Sequence, residues 1–384
     1  MTSFVASDGD VRQFNDADRI IQAAVEQGEI PGAVLHVRSN GRVVHERAFG
    51  QRDVGEGCAL RIDDIFPVAS LTKPVVAVGI LRLCEEGALQ LDDPIVRYLP
   101  EFDEPKVLIS YNLETETIVT RPARGVITVR HLLTHTAGIH HGFPRSDDVM
   151  GTLYERAGVV HGDGMPMAEK IKRLGPLPLV HNPGEAWTYG LSSDVAGRLI
   201  EVVSRQPLDQ YLTRCIFEPV GMKSTYFFVP VREHSRLVIP HVREGETVVP
   251  ASWARDGGER YLSGGGGLHT TVGDYGRFVQ MVLDGSPLVL PEDSFALMIR
   301  NHIGHLTAFG FKYGLGVGIA TDDACGESPL PVGGFGWYGI YSTWFWTLPK
   351  PRAAVLLFSN VLAPSMNLPL FAKVVGAIDA ALSQ

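Results

Sequence analysis

The sequence predicts an α+β fold, an antiparallel sheet flanked by helices and interrupted by an all-helical part. Three observations predict it. Strand-like segments collect at both ends of the chain, helical signals broken by Pro and Gly fill the middle, and the terminal strand segments follow one another without intervening helices. The last feature favours antiparallel pairing, and the split distribution favours one layered domain interrupted by an insertion. The expected division is a discontinuous α/β domain, residues 1–69 and 261–384, around a mainly helical domain at 70–260. Clefts form where such parts meet, so the active site is expected at the junction.

The elements follow in order. Asn15 is positioned to cap a helix over Asp16 to Gln27, with Ile20, Ile21, Ala24 and Val25 as its apolar stripe and Gly28 as its stop. Ala33 to Val37 and Val43 to Phe49 read as strands joined through Asn40-Gly41, a strong hairpin signal. From Ser70 to about Arg260 the signals are mainly helical, punctuated by turns such as Asn182-Pro183-Gly184. Ser263 to Asp274 is a glycine-rich loop entering another helix, for which Thr271-x-x-Asp274 resembles a capping pair. Strands return at Gly314 to Ala320, Gly339 to Leu348 and Ala353 to Ser359. A helix from about Leu368 to Leu382 carries Leu370, Phe371, Val374, Val375, Ile378 and Leu382 on one side.

Composition bounds the function. With 384 residues, 45% hydrophobic and 20% charged, the chain is an ordinary globular protein with room for one large or two ordinary domains. A net charge of −9 disfavours nucleic acid or an anionic membrane as partner. Residues Met1 to Asp18 lack a signal-peptide core, and no apolar run reaches membrane-spanning length. Cys58, Cys84, Cys215 and Cys325 are scattered, which reads as reduced thiols in a cytoplasmic protein.

Chemistry is suggested first by Ser70-Leu71-Thr72-Lys73. Residues three apart share a helix face, and Pro74 is tolerated only in a helix's first turn, so Ser70 belongs at a helix start. There, free backbone N–H groups favour developing negative charge. A neutral lysine on the same face can take the serine proton, and burial favours the neutral amine. The pattern is common by chance, however. Tyr189, in Pro183-Gly184-Glu185-Ala186-Trp187-Thr188-Tyr189-Gly190-Leu191-Ser192, is either a proton carrier at a turn–helix junction or a packing aromatic. Gly333-Gly334-Phe335-Gly336-Trp337-Tyr338-Gly339-Ile340 is either a close-approach segment, whose Ile340 N–H joins that of Ser70 as an oxyanion donor, or a glycine-rich turn before the strand Tyr341 to Leu348.

Together these segments resemble the serine β-lactamase-like superfamily, and most closely the class C-like family VIII carboxylesterases, over nearly the whole chain. The resemblance includes Phe66 to Lys73, Ile127 to Gly138, Pro183-Gly184 with Tyr189 to Ser192, Gly265 to Thr271 and Phe335 to Gly339. It implies a β-lactamase/transpeptidase-like fold, Ser70 as nucleophile, Lys73 as base, Tyr189 as catalytic tyrosine and Ile340 as second oxyanion amide. Two departures bear on substrate. Leu191 stands where β-lactamases commonly have Asn, and Trp337 stands where the third motif commonly begins with Lys or His to hold a carboxylate. Losing one charged hydrogen bond, roughly 1.5–3 kcal/mol, lowers selectivity for acidic substrates about ten- to a hundredfold. With Trp337, Gly339 and Leu191 as substrate-binding positions, the expected reaction is hydrolysis of small, neutral, short-chain esters. Lys312 or an arginine of the helical part is a candidate to restore the charge.

No metal or organic cofactor is expected. His131 and His135 have metal-ligand spacing, with His140 and His141 beyond, but lack the Glu of a zinc hydrolase, so helix packing and loop hydrogen bonds are the expected roles. Gly264 to Gly267 precedes no Gly-Lys-Ser/Thr and reads as a cleft-wall turn. No Gly-x-Ser-x-Gly elbow occurs. The alternatives are a β-lactamase, D-amino-acid peptidase or acyltransferase of the same fold, then a non-catalytic binding module. The sequence leaves the oligomeric state open.

Overall fold

The computed structural model describes residues 13–112, 114–142, 148–160, 165–245, 247–251, 261–323 and 329–383. The elements framing the site are α1 (Asn15–Glu26), β1 (Gly32–Ser39), β2 (Arg42–Asp53), β3 (Cys58–Ala59), α2 (Thr72–Glu85), α3 (Ser192–Ser204), α4 (Val272–Asp284), β4 (Lys312–Tyr313), β5 (Gly318–Ile319), β6 (Phe335–Gly339), β7 (Thr343–Leu348), β8 (Ala353–Ser359) and α5 (Leu368–Leu382). The strands form one antiparallel sheet in the order β4-β5-β6-β7-β8-β1-β2-β3. Its centre joins distant sequence, with β1 pairing β8 from Ala33 opposite Ser359 to Ser39 opposite Ala353.

Side-chain alternation explains the layers. Trp344 and Phe345 are neighbours on β7 and therefore point to opposite faces. Trp344 stacks on Phe371 of α5, ring centroids 5.0 Å apart, and Phe345 meets Tyr275 of α4 at 5.7 Å. Helices thus cover both faces, which is why β7 and β8 are buried along their whole length and read as continuous apolar runs. The β1–β2 turn has Asn40 at φ 49° and Gly41 at φ 78°, the left-handed pair a tight hairpin needs.

Several boundaries differ from expectation. Asn15 lies inside α1, and Phe14 precedes the helix without a side-chain cap. Gly314 to Ala320 is not one strand, because β4 and β5 are two-residue strands paired across a turn. Gly339 to Leu348 is likewise broken, and the glycine-rich segment expected as a turn is itself β6, hairpinned to β7. Two hairpins interrupt the helical middle, Lys106–Asn112 with Thr117–Pro122 and His241–Glu244 with Thr247–Pro250. Most of their residues face solvent, so burial imposes no apolar alternation that would mark them. Among the described residues, Cys58, Cys84 and Cys215 are free thiols, and no helix is long and apolar enough to cross a membrane. Burial pushes the Cys84 thiol up to about 12. Cys325 lies outside the described residues.

Candidate active site

Ser70 sits half-buried in a 3₁₀ turn, Ala69–Leu71, that runs into α2, with Pro74 in the first helical turn as the sequence predicts. The turn is strained, because Ala69 has φ 45° and a side chain disfavours that left-handed region by about 1–2 kcal/mol. Bonds on every side hold it. The Val68 N–H donates to Leu268 O at 3.0 Å, the Thr72 hydroxyl donates to Ala69 O at 2.7 Å, and Tyr275 Oη donates to Leu71 O at 2.8 Å. The serine is therefore displayed by an anchored backbone.

Lys73, one turn on, is 5% exposed. Its Nζ donates to Ser70 Oγ at 3.0 Å and to Gly265 O at 2.6 Å, and lies 4.6 Å from the centre of the Tyr189 ring. Among the described residues it has no carboxylate partner. Gly265 belongs to the glycine-rich loop, which a buried carboxylate pins to α3. Asp194 Oδ1 accepts from Tyr261 Oη at 2.6 Å, Ser263 Oγ at 2.8 Å and the Gly265 N–H at 3.4 Å. A Cβ on Gly265 would lie 2.7 Å from Asp194 Oδ2, so a side chain there would displace the carboxylate that pins the loop. The cleft-wall turn expected at Gly264 to Gly267 includes Gly265 without assigning its carbonyl to Lys73. Asp194 is hinted at only as an acidic residue opening α3 five positions after Tyr189.

Tyr189 stands in the turn before α3. It is surrounded by aromatic rings, with centroid distances of 4.7 Å to His135, 5.8 Å to Trp187, and 5.9 Å to both Phe309 and Trp337. Gly190 packs backbone to backbone, since a Cβ there would meet Ile139 O at 2.1 Å. His135 is completely buried. Desolvation first, and then the charge of Lys73, hold its pKa well below the usual histidine value, so it is neutral.

The third wall is the β6–β7 hairpin. A Cβ on Gly339 would meet Val68 O at 2.3 Å, so the bare glycine lets β6 end against the turn that carries Ser70. Ile340 follows in the hairpin turn and is 45% exposed. It is not on an edge strand, because β5 pairs with β6 on one side and β7 on the other. Trp337 is buried, packed edge-on to Tyr313 at 4.9 Å and stacked on Tyr338 at 4.8 Å. Leu191 is half-buried beside Tyr189, its N–H donating to His140 O at 3.2 Å. Lys312 donates to Leu306 O at 3.3 Å and pairs with Asp323 at 3.3 Å, so its charge is engaged there.

Histidine spacing does not create a metal centre. The helix carrying His131 ends at Leu133, and His135 adopts φ 55°, so the two rings do not share a helix face. His131 Nδ1 instead accepts the Thr128 N–H in a capping box. His140, His141 and Asp148 do gather, but His140 Nδ1 accepts the Gly142 N–H at 3.2 Å. His140 Nε2 lies 3.4 Å from Asp148 Oδ2, within ion-pair distance when the ring is protonated.

The match of the Beta-lactamase family model to residues 17–372 decides the lineage. The chain belongs to the beta-lactamase family. Among curated proteins, Esterase EstB of Burkholderia gladioli is 29% identical over 92% of this chain and 92% of its own. The Acyltransferase calJ of Penicillium decumbens is 28% identical over 88% and 85%. Among solved structures, EstCE1, "a hydrolase with promiscuous acyltransferase activity", superposes with a TM-score of 0.83 at 24% identity over 97% of this chain and all of that one, a likeness of fold. The beta-lactamase fold of this chain is thus α+β, with mixed helices and an antiparallel sheet.

Proposed function

We propose that this beta-lactamase family member is a serine carboxylesterase that hydrolyses small neutral esters through an acyl-enzyme on Ser70. One observation carries the reading. A buried lysine amine lies 3.0 Å from the serine oxygen, faces a tyrosine ring, and has no carboxylate partner among the described residues. Lys73 takes the Ser70 proton as Oγ attacks the ester carbonyl. The N–H groups of Ser70 and Ile340 receive the oxyanion. Tyr189 returns a proton to the departing alkoxide, and water activated by the same pair then releases the acid.

Substrate neutrality rests on two residues. Trp337 occupies the position that would carry a cation, and Lys312 is engaged by Leu306 and Asp323. The name of the EstB relative agrees with ester hydrolysis. The name of the calJ relative favours a second reading, in which an alcohol rather than water accepts the acyl group from Ser70. A panel of p-nitrophenyl esters set against nitrocefin tests substrate class, and faster nitrocefin turnover overturns the esterase reading. Added alcohol that diverts acyl groups into a new ester identifies the transferase.

A further inference from the structure

We infer that His135 is the positioning residue that sets Tyr189, acting as a clamp on the backbone N–H groups of the two residues on either side of the tyrosine, Thr188 and Gly190. This rests on the reading of Tyr189 as the proton carrier. Three contacts from one residue reach three consecutive positions. The Thr188 N–H donates to His135 O at 2.8 Å, the Gly190 N–H donates to His135 Nδ1 at 3.4 Å, and the imidazole lies against the Tyr189 ring at 4.7 Å. Tyr189 is thereby fixed before, behind and across its ring, while the phenol itself stays available.

The clamp is built at a cost to its own backbone. His135 has φ 55°, a region that side chains enter only when the surroundings enforce it. Here the flanking threonines enforce it. Their hydroxyls bond each other at 2.8 Å, Thr134 Oγ1 donates to Arg130 O at 2.8 Å, and Thr136 O accepts the Gly184 N–H at 2.8 Å. The left-handed turn brings both the carbonyl and Nδ1 of one residue onto the Tyr189 segment. Nδ1 acts as acceptor, so the neutral ring carries its proton on Nε2, which is buried without a hydrogen-bond partner among the described residues. A merely packing ring needs neither the strained backbone nor the acceptor at Nδ1.

The test exploits amide geometry. An asparagine oxygen falls near the position of histidine Nδ1 and tolerates a left-handed backbone, whereas glutamine places its amide nearer Nε2. On a p-nitrophenyl ester, H135N is expected to keep kcat within about fivefold, while H135Q loses about ten- to a hundredfold in kcat with KM within about twofold. H135G, which relieves the backbone and removes the ring, gives the same loss and replaces H135Q if that variant does not fold. Equal activity of the asparagine variant with either of the others, or a change confined to KM, overturns the clamp. Fluorophosphonate labelling of the wild-type protein is run alongside. Absence of an adduct on Ser70 overturns the site reading itself, whereas labelling with no difference among the variants overturns only the role of His135.

Discussion

Lys73 and Lys170 make a matched pair with different surroundings. Both are almost fully buried, and each holds its Nζ near a tyrosine ring, 4.6 Å from the Tyr189 centre and 4.1 Å from that of Tyr261. Lys170 donates to Tyr261 Oη at 2.8 Å, and that hydroxyl donates to Asp194. Burial, and next the Asp194 charge, drive the Tyr261 phenol well above its ordinary pKa, so it stays protonated between cation and carboxylate. Lys73 meets a serine hydroxyl and a backbone carbonyl instead. A lysine and a tyrosine therefore do not make a reactive site. A carboxylate in the network makes the pair a brace, whereas a strained serine turn in its place leaves the pair in the arrangement that the proposed esterase mechanism uses for proton transfer.

This contrast can be broken in several ways. S70A and K73M are expected to lower kcat/KM for esters by about 10⁴-fold or more while the thermal transition stays in place. Steady-state rates and a melting curve check both. Y189F follows, with a loss of about 10²–10⁴-fold, largely in kcat. K170M should do the reverse, removing the cation from a charge-assisted network and destabilising the protein by about 1.5–3 kcal/mol, with kcat changed only a fewfold. Chemical denaturation measures the first and ester turnover the second. If K170M abolished turnover without loss of stability, the two lysines would not be doing different jobs.

A last prediction concerns pH. Burial depresses the pKa of His131, His135, His241, His269 and His302. Below about pH 6.5 the unfolded chain protonates these rings before the folded one does. The unfolded state then binds more protons, so stability falls as pH drops, by at most about 1.4 kcal/mol per pH unit for each histidine. Melting temperatures between pH 7.5 and 5 should decline, and H135N should flatten that decline. A curve that is flat or rises toward acid refutes the assignment.

How much of the site the sequence discloses follows from chain distance. Ser70 and Lys73 lie within one helical turn, and Pro74 announces where that turn begins, so their meeting is local and legible. Tyr189 is marked by the turn and helix around it. The Gly265 carbonyl reaches Lys73 from 192 residues away, and nothing in a single sequence advertises a backbone acceptor. A spacing of four puts His135 on one helix with His131, whereas the chain leaves the helix at Leu133 and turns left-handed. The long buried strand β8 is legible as an apolar run, whereas β4 and β5 merge into one expected strand, because two residues are too few to show a periodicity of their own.

The pairing of β1 with β8 also constrains how the chain comes into being. Ser359 Oγ donates to Gly32 O across 327 positions, and β8 separates β1 from β7 in the sheet. On a ribosome, the first hairpin emerges early and waits with a bare edge until its neighbour has been synthesised. Closure over so long a loop is slow. Assembly of this protein is therefore governed by its last-made strands, and an early hairpin left unshielded is where premature self-association would begin.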